Sequence, residues 1–309
     1  MDSHPRECLA VPVTKMNQKE RRAGIIKTYK LFVGGKFPRT ESGRYLTVNH
    51  PKSGKHLASY CQASRKDLRD AVVAARKSQP GWAGKSSYLR GQILYRIAEM
   101  LEGRAASMAS EISDCSGVST ATAKSEINAT IDRILYYSGW ADKYSQVFGS
   151  TNPVASSHFN FSIPEPTGIV GVICPDKPAL LALATLIAPV ILSGNSAVVL
   201  VSEKCPLPAI TLAEVIASSD VPGGVINLLS GSRAELAPHF AQHMDINAII
   251  DGSGDDAIAS TLKEGSSTNL KRVTIRNIRE ASWSGKTGRN PYFILDSVEL
   301  KTLWHPVGT

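Results

Sequence analysis

Three short apolar runs frame the chain: residues 168–174, 197–201 and 225–229. Each is rich in Val and Ile and bounded by Gly, Pro or Ser, as strands buried on both faces of a parallel sheet are. Two longer apolar stretches, 180–192 and 207–217, lie between them. Both are long enough for helices, and neither shows strand alternation. Strand, helix, strand, helix, strand is the unit of a doubly wound α/β domain. Ligands of such domains bind beyond the carboxyl ends of the strands, where strand order reverses. The loop at 174–178 is therefore the first candidate for a site.

The flanking pattern extends this unit. Gly34-Gly35 inside an apolar stretch at 29–37 predicts a hairpin turn, and residues 44–51 and 56–63 read as further strands. Ser64 followed by Asp67 resembles a capping box. It opens a helix with Leu68, Val72 and Ala75 inward, which Pro80-Gly81 should end. Helical spacing recurs over 89–101, with Arg90 facing away from the core, then over 104–115 and 119–143. Periodicity is lost over 145–164. There Phe159–Ile163 alternates as a half-exposed strand, whose free backbone edge needs a partner. Downstream, 234–243 and 257–264 read as helices, and 247–250 and 270–275 as strands.

The charge of +8 changes this picture little. Nine Lys and Arg against three acids fall within residues 1–40, which leaves the body near neutral and without a basic face for nucleic acid. Residues 1–27 are polar, basic and aperiodic, as a flexible tail would be. The five cysteines have no paired or zinc-type spacing. A reducing, cytoplasmic setting suits them. No uncharged apolar run is long enough for a membrane span.

Three motifs then stand in order: EPTGIVGVICPDKPAL from Glu165, GNSAVVLVSEKCPL from Gly194 and PGGVINLLSG from Pro222. With YYSGWADK at 136–143 and LKRVTI at 270–275, they resemble the aldehyde dehydrogenase superfamily from about Tyr29 to about Arg276. The resemblance implies a Rossmann-like parallel sheet with helices on both faces, over residues 28–143 and 165–276. It also implies a β oligomerisation arm over 144–164 and 277–309. The catalytic domain has no counterpart. That gap, and the WHPVG ending at 304–308, are similar to the truncated C-terminal domain of the aldehyde dehydrogenase family 16 class.

The family's chemistry needs a thiolate nucleophile, a fixed amide to hold the oxyanion, and a carboxylate to activate water. No cysteine follows Cys205. Lys177 stands where the amide would be. Arg276 stands at the base position and cannot accept a proton. The one substitute nucleophile is Cys174, read as ending its strand facing the crevice, with Lys177 near enough to lower its pKa. The plainer reading is that a cysteine in an apolar run packs. By resemblance, Pro175, Lys177, Glu203, Gly252 and Ser253 would line a site for NAD or NADP. Glu203 could accept ribose hydroxyls or be a surface acid. Gly252-Ser253-Gly254 could face a pyrophosphate or be a plain turn. Leu200 replaces the family's ribose-binding lysine, and Asp255 and Asp256 repel phosphate, so weak or absent cofactor binding is expected. His239 and His243 have metal-ligand spacing but no third ligand, and no metal site is expected.

Three functions remain open: a catalytically silent subunit that oligomerises with itself or with another aldehyde dehydrogenase-type subunit, an NAD(P)-dependent aldehyde oxidoreductase, and a dinucleotide-binding module without chemistry.

Overall fold

The computed structural model describes residues 26–308. The basic tail expected over 1–27 lies outside the described residues except for its last two. The first strand β1 (Thr28–Tyr29) leads into a tight turn, where Val33 and Lys36 exchange both backbone hydrogen bonds at 3.0 Å. Gly34 and Gly35 take positive φ of 61° and 77°, which only glycine adopts freely. The expected hairpin turn is thus present. Its preceding residue, Phe32, bridges to Leu228 rather than forming a separate sheet. Strands β2 (Tyr45–Asn49) and β3 (His56–Cys61) complete a small sheet with β1.

Helix α1 (Arg65–Ala83) starts at the Ser64–Asp67 capping box. It does not stop at Pro80. The proline sits in the last turn, and Trp82 beyond it is buried with its indole N–H donating to Ile191 O at 2.8 Å. Burying an indole outweighs a proline's local cost near a helix end. Helices α2 (Ser87–Glu102), α3 (Ala105–Ser116) and α4 (Thr120–Ser138) follow. Gly139 ends α4 earlier than expected, and a short helix α5 (Tyr144–Phe148) follows the turn. On α2 the expected faces are displaced. Leu89 is exposed, while Arg90 is buried, its Nε donating to Leu192 O at 2.8 Å.

The main sheet holds five parallel strands: β6 (Ile169–Ile173), β7 (Ser196–Leu200), β8 (Ile226–Leu229), β9 (Ala248–Asp251) and β10 (Arg272–Ile275). Their order is β10-β9-β6-β7-β8, so the chain reverses direction across the sheet between β6 and β9. Alternate residues divide between two cores. Val170, Val172, Val199 and Ile250 face α6 (Ala179–Leu192) and the layer of α2, α4 and α7 (Leu207–Ala217). Ile169, Ile173, Val198 and Leu200 face α1, α8 (Arg233–Gln242) and α9 (Asp256–Ser266). All fourteen residues of α6 are buried, which explains its uniform apolarity. At roughly 1.5–3 kcal/mol per buried Leu or Ile, this helix is a major anchor of the domain.

A third sheet stands off the body: β4 (Ser150–Asn152), β5 (His158–Pro166) and β11 (Val298–Pro306), in the order β11-β5-β4. The strand around Phe159–Ile163, expected to be a free edge, is its centre. β11 covers it antiparallel over nine residues, from Val298 opposite Pro166 to Pro306 opposite His158. The open edge therefore belongs to β11, brought back by the segment between β10 and β11. That segment is not a loose link. It buries Trp283 and Ile294 against the α4 and α6 layer, and Phe293 beneath Arg276.

Candidate functional site: the crevice at the carboxyl ends of the sheet

The loops that leave β6, β7, β8 and β9 meet at the carboxyl edge of the sheet, as the doubly wound topology dictates. Asp176 stands at their centre. Its Oδ1 accepts from Arg233 Nη2 at 2.6 Å, from the backbone N–H of Glu203 at 3.1 Å and from that of Lys204 at 3.3 Å. Burial alone would raise this carboxyl. The hydrogen bond and charge of Arg233, with Lys204, hold it below the usual carboxylate range. Arg233 is buried. Its Nε donates to Cys174 O at 3.1 Å, and its Nη1 lies 3.8 Å from Glu203 Oε2. One guanidinium thus ties together the ends of three strands.

The expected site residues fall around this network. Glu203 is taken up by it, Oε1 also accepting the backbone N–H of Arg233 at 3.3 Å. Lys177 is exposed and Pro175 buried. Gly252 packs beneath Pro175: a Cβ there would lie 2.8 Å from Leu186 Cδ1 and 3.5 Å from Pro175 Cδ. The Ser253 N–H donates to Asp251 Oδ1 at 2.9 Å. Leu200 is buried in the apolar core on the α1 and α8 side.

Cys174 corrects the sequence reading. It does not face the crevice but is fully buried in the core on the α6 side. Burial pushes its thiol up to about 12, and Arg233 nearby does not offset it. A thiol so placed is neither ionised nor reachable. Cys205 is also buried. The neighbouring Cys115 thiol and burial both raise it well above its ordinary range. Cys205 borders a cavity of about 220 Å3 shared with Lys177, Glu126 and Glu280, and among the described residues no amide side chain lines it. Arg276, at the base position, forms an ion pair with Asp296, its Nε 2.9 Å from Oδ2, and lies 4.3 Å over the Phe293 ring. Of the three expected positions only Lys177 lines this cavity; Cys174 and Arg276 do not. His243 accepts the N–H of Asp245 on Nδ1 at 3.2 Å, and no group of three metal-ligating side chains occurs among the described residues.

The fit to a dinucleotide fails on the same geometry. The buried Leu200 offers no donor for a ribose. At the start of α9, Asp255 Oδ1 accepts the N–H groups of Ala257 at 2.9 Å and Ile258 at 3.3 Å, which a pyrophosphate would otherwise take. Sequence reasoning missed Asp176 and Arg233. The signal was available: Asp176, Glu203 and Arg233 each follow a strand end directly, so the topology collects them at one edge.

The architecture defines a Rossmann-like parallel α/β scaffold carrying a β arm. The model of the aldehyde dehydrogenase family matches residues 37–302, and the chain belongs to that family. It is 32% identical over 247 residues to an aldehyde dehydrogenase of Aspergillus niger, covering 79% of this chain and 49% of that protein. It is 32% identical to human retinal dehydrogenase 2 over 81% of this chain and 48% of that one. The NAD+ complex of an aldehyde dehydrogenase from Bacillus cereus superposes with a TM-score of 0.77 at 25% identity, over 81% of this chain and 50% of that chain. The chain thus spans about half the length of the relatives it matches.

Proposed function

We propose that this chain is a catalytically silent aldehyde dehydrogenase-like subunit that acts by association, with a second copy of itself or with an active relative. The observation that carries this reading is the outer edge of β11. Eight of its nine residues are exposed. Leu300 and Trp304 are exposed on one face of the arm sheet, and Leu303 on the other with Phe159 and Ile163 of β5. A long unpaired edge is a template for another strand, and soluble proteins cover such edges. The arm keeps this edge, while Cys174 is buried in the core and Arg276, at the base position, is paired with Asp296. The exit from the sheet into the arm and the WHPVG ending support placement beside the truncated C-terminal copy of family 16. No described helix is long and apolar enough to cross a membrane. Cys61, Cys115, Cys174 and Cys205 are free buried thiols, which supports a cytoplasmic site of action.

Light scattering coupled to size-exclusion chromatography tests the reading. A dimer or larger assembly at micromolar concentration is expected, and a well-behaved monomer would overturn self-association. Aldehyde oxidation with NAD or NADP over a broad substrate panel should be absent, and cofactor-dependent turnover would remove the claim of silence.

A further inference from the structure

The positive ends that face the crevice are already occupied by the chain's own acids. Helix α6 points its first N–H groups at the crevice. Glu126 of α4 takes two of them on Oε1, from Leu180 at 2.9 Å and Leu181 at 3.2 Å. The first turn of α9 is taken by Asp255. The Arg233 guanidinium is taken by Asp176 and Glu203. Arg276 on the far side is taken by Asp296. Helix N-termini and guanidinium groups are the parts of such a crevice that bind phosphate. Each here has a carboxylate within hydrogen-bonding distance.

We propose that the crevice is self-liganded: Glu126, Asp176 and Asp255 stand where the anionic groups of a dinucleotide would be held, and the folded chain therefore has no dinucleotide affinity. The network performs the structural task a ligand would perform. Asp176 and Arg233 pin the ends of β6, β7 and β8 to one another. An incoming pyrophosphate would meet carboxylates rather than free donors, and would have to displace them in a half-dry site where like charges repel strongly.

The test uses NAD+ and inorganic pyrophosphate as probes, by titration calorimetry and thermal shift. The full chain should give no saturable heat and no midpoint shift at ~5 mM of either, since a ligand that binds only the folded state must raise the midpoint. A variant carrying Asp255→Gly and Asp176→Asn frees the α9 N–H groups and removes one negative charge from the Arg233 network. Gly remains an acceptable N-cap, and Asn keeps an acceptor for the loop N–H groups and for Arg233, so the hydrogen bonds of the frame are kept at some cost to the charge pair. It should bind pyrophosphate at least about tenfold more tightly than the parent. Asp255→Gly alone should show a smaller gain in the same direction, which keeps the test decisive if the double variant folds poorly. Saturable NAD+ binding by the parent below ~1 mM, or variants no tighter than the parent, would overturn the proposal. It stands apart from the association reading: a monomer without NAD+ affinity leaves it intact, and an NAD+-binding oligomer overturns it.

Discussion

Trp283→Ala asks whether the segment between β10 and β11 is part of the folded body or a passive link to the arm. Trp283 is fully buried in the α4 and α6 layer. Deleting a buried tryptophan side chain costs about 3–5 kcal/mol. The structure moderates that figure, because the indole Nε1 is buried without a hydrogen-bond partner. An unsatisfied buried donor costs ~1–3 kcal/mol that the parent already bears and the variant does not. A net loss of about 2 kcal/mol follows from the midpoints of the two ranges. Trp283→Phe keeps most of the bulk and removes the orphan N–H, so it should cost under ~1.5 kcal/mol. Trp304→Ala on the exposed edge of β11 is the control, within about 0.5 kcal/mol for the isolated subunit. Urea unfolding followed by circular dichroism at a fixed protein concentration measures all three. A loss below ~1 kcal/mol for Trp283→Ala would show that the segment contributes no core and would refute the packing argument.

Other outcomes follow from the site and the arm. Leu303→Lys with Trp304→Lys places charges on the open edge of β11, which edge strands tolerate. The assembly should dissociate in light scattering while the circular dichroism spectrum is unchanged. Cys174, with its thiol near 12 and no exposure, should resist a thiol reagent at pH 8 for as long as the protein stays folded. Rapid labelling of Cys174, read by peptide mass, would contradict its position. Asp176 is held below the range of a free carboxyl, near 3.9 in the unfolded chain. Its contribution to stability is therefore full above about pH 4 and lost as pH falls through its folded value. Asp176→Asn should flatten the acid limb of the stability profile below about pH 4, and an unchanged acid limb would mean the Arg233 pair carries no weight.

The sheet was legible because its strands are buried on both faces and so read as unbroken Val- and Ile-rich runs. Each of the five parallel strands falls within two residues of its sequence reading. The buried arginines were not legible. Periodicity places a cation outside, yet Arg90 donates to Leu192 O and Arg133 donates to Thr185 Oγ1 at 2.6 Å and to Trp283 O at 2.7 Å. Both reach partners far along the chain, and no local pattern reports such a contact. Pro80 misled for a similar reason: its local cost is readable, but the burial of Trp82 is tertiary. At the crevice, the vacant positions were readable one at a time against the family's motifs. What filled them was not, because Asp176 and Arg233 lie 57 residues apart and meet only through the fold.

The arm and the body are joined more tightly than a linker would join them. The carbonyls of the segment before β11 are received one after another by side chains of the body. Tyr137 Oη donates to Gly288 O at 3.2 Å and to Asn290 O at 3.1 Å, and Tyr136 Oη donates to Arg289 O at 3.1 Å. Asn195 Nδ2 donates to Ser297 O at 2.7 Å, and the same side chain's Oδ1 accepts the Gly168 N–H at 2.7 Å. Arg272 Nη1 then donates to Val298 O at 2.8 Å, where β11 begins. A chain that merely crossed this surface would leave its carbonyls to water, at no net gain. Here the strand leaves a fixed point, set by Asn195 between the start of β6 and the last turn of the segment. That point sets the register of β11 on β5 and hence which side chains line the open edge. Burial of Trp283 and presentation of the edge are for this reason one structural decision.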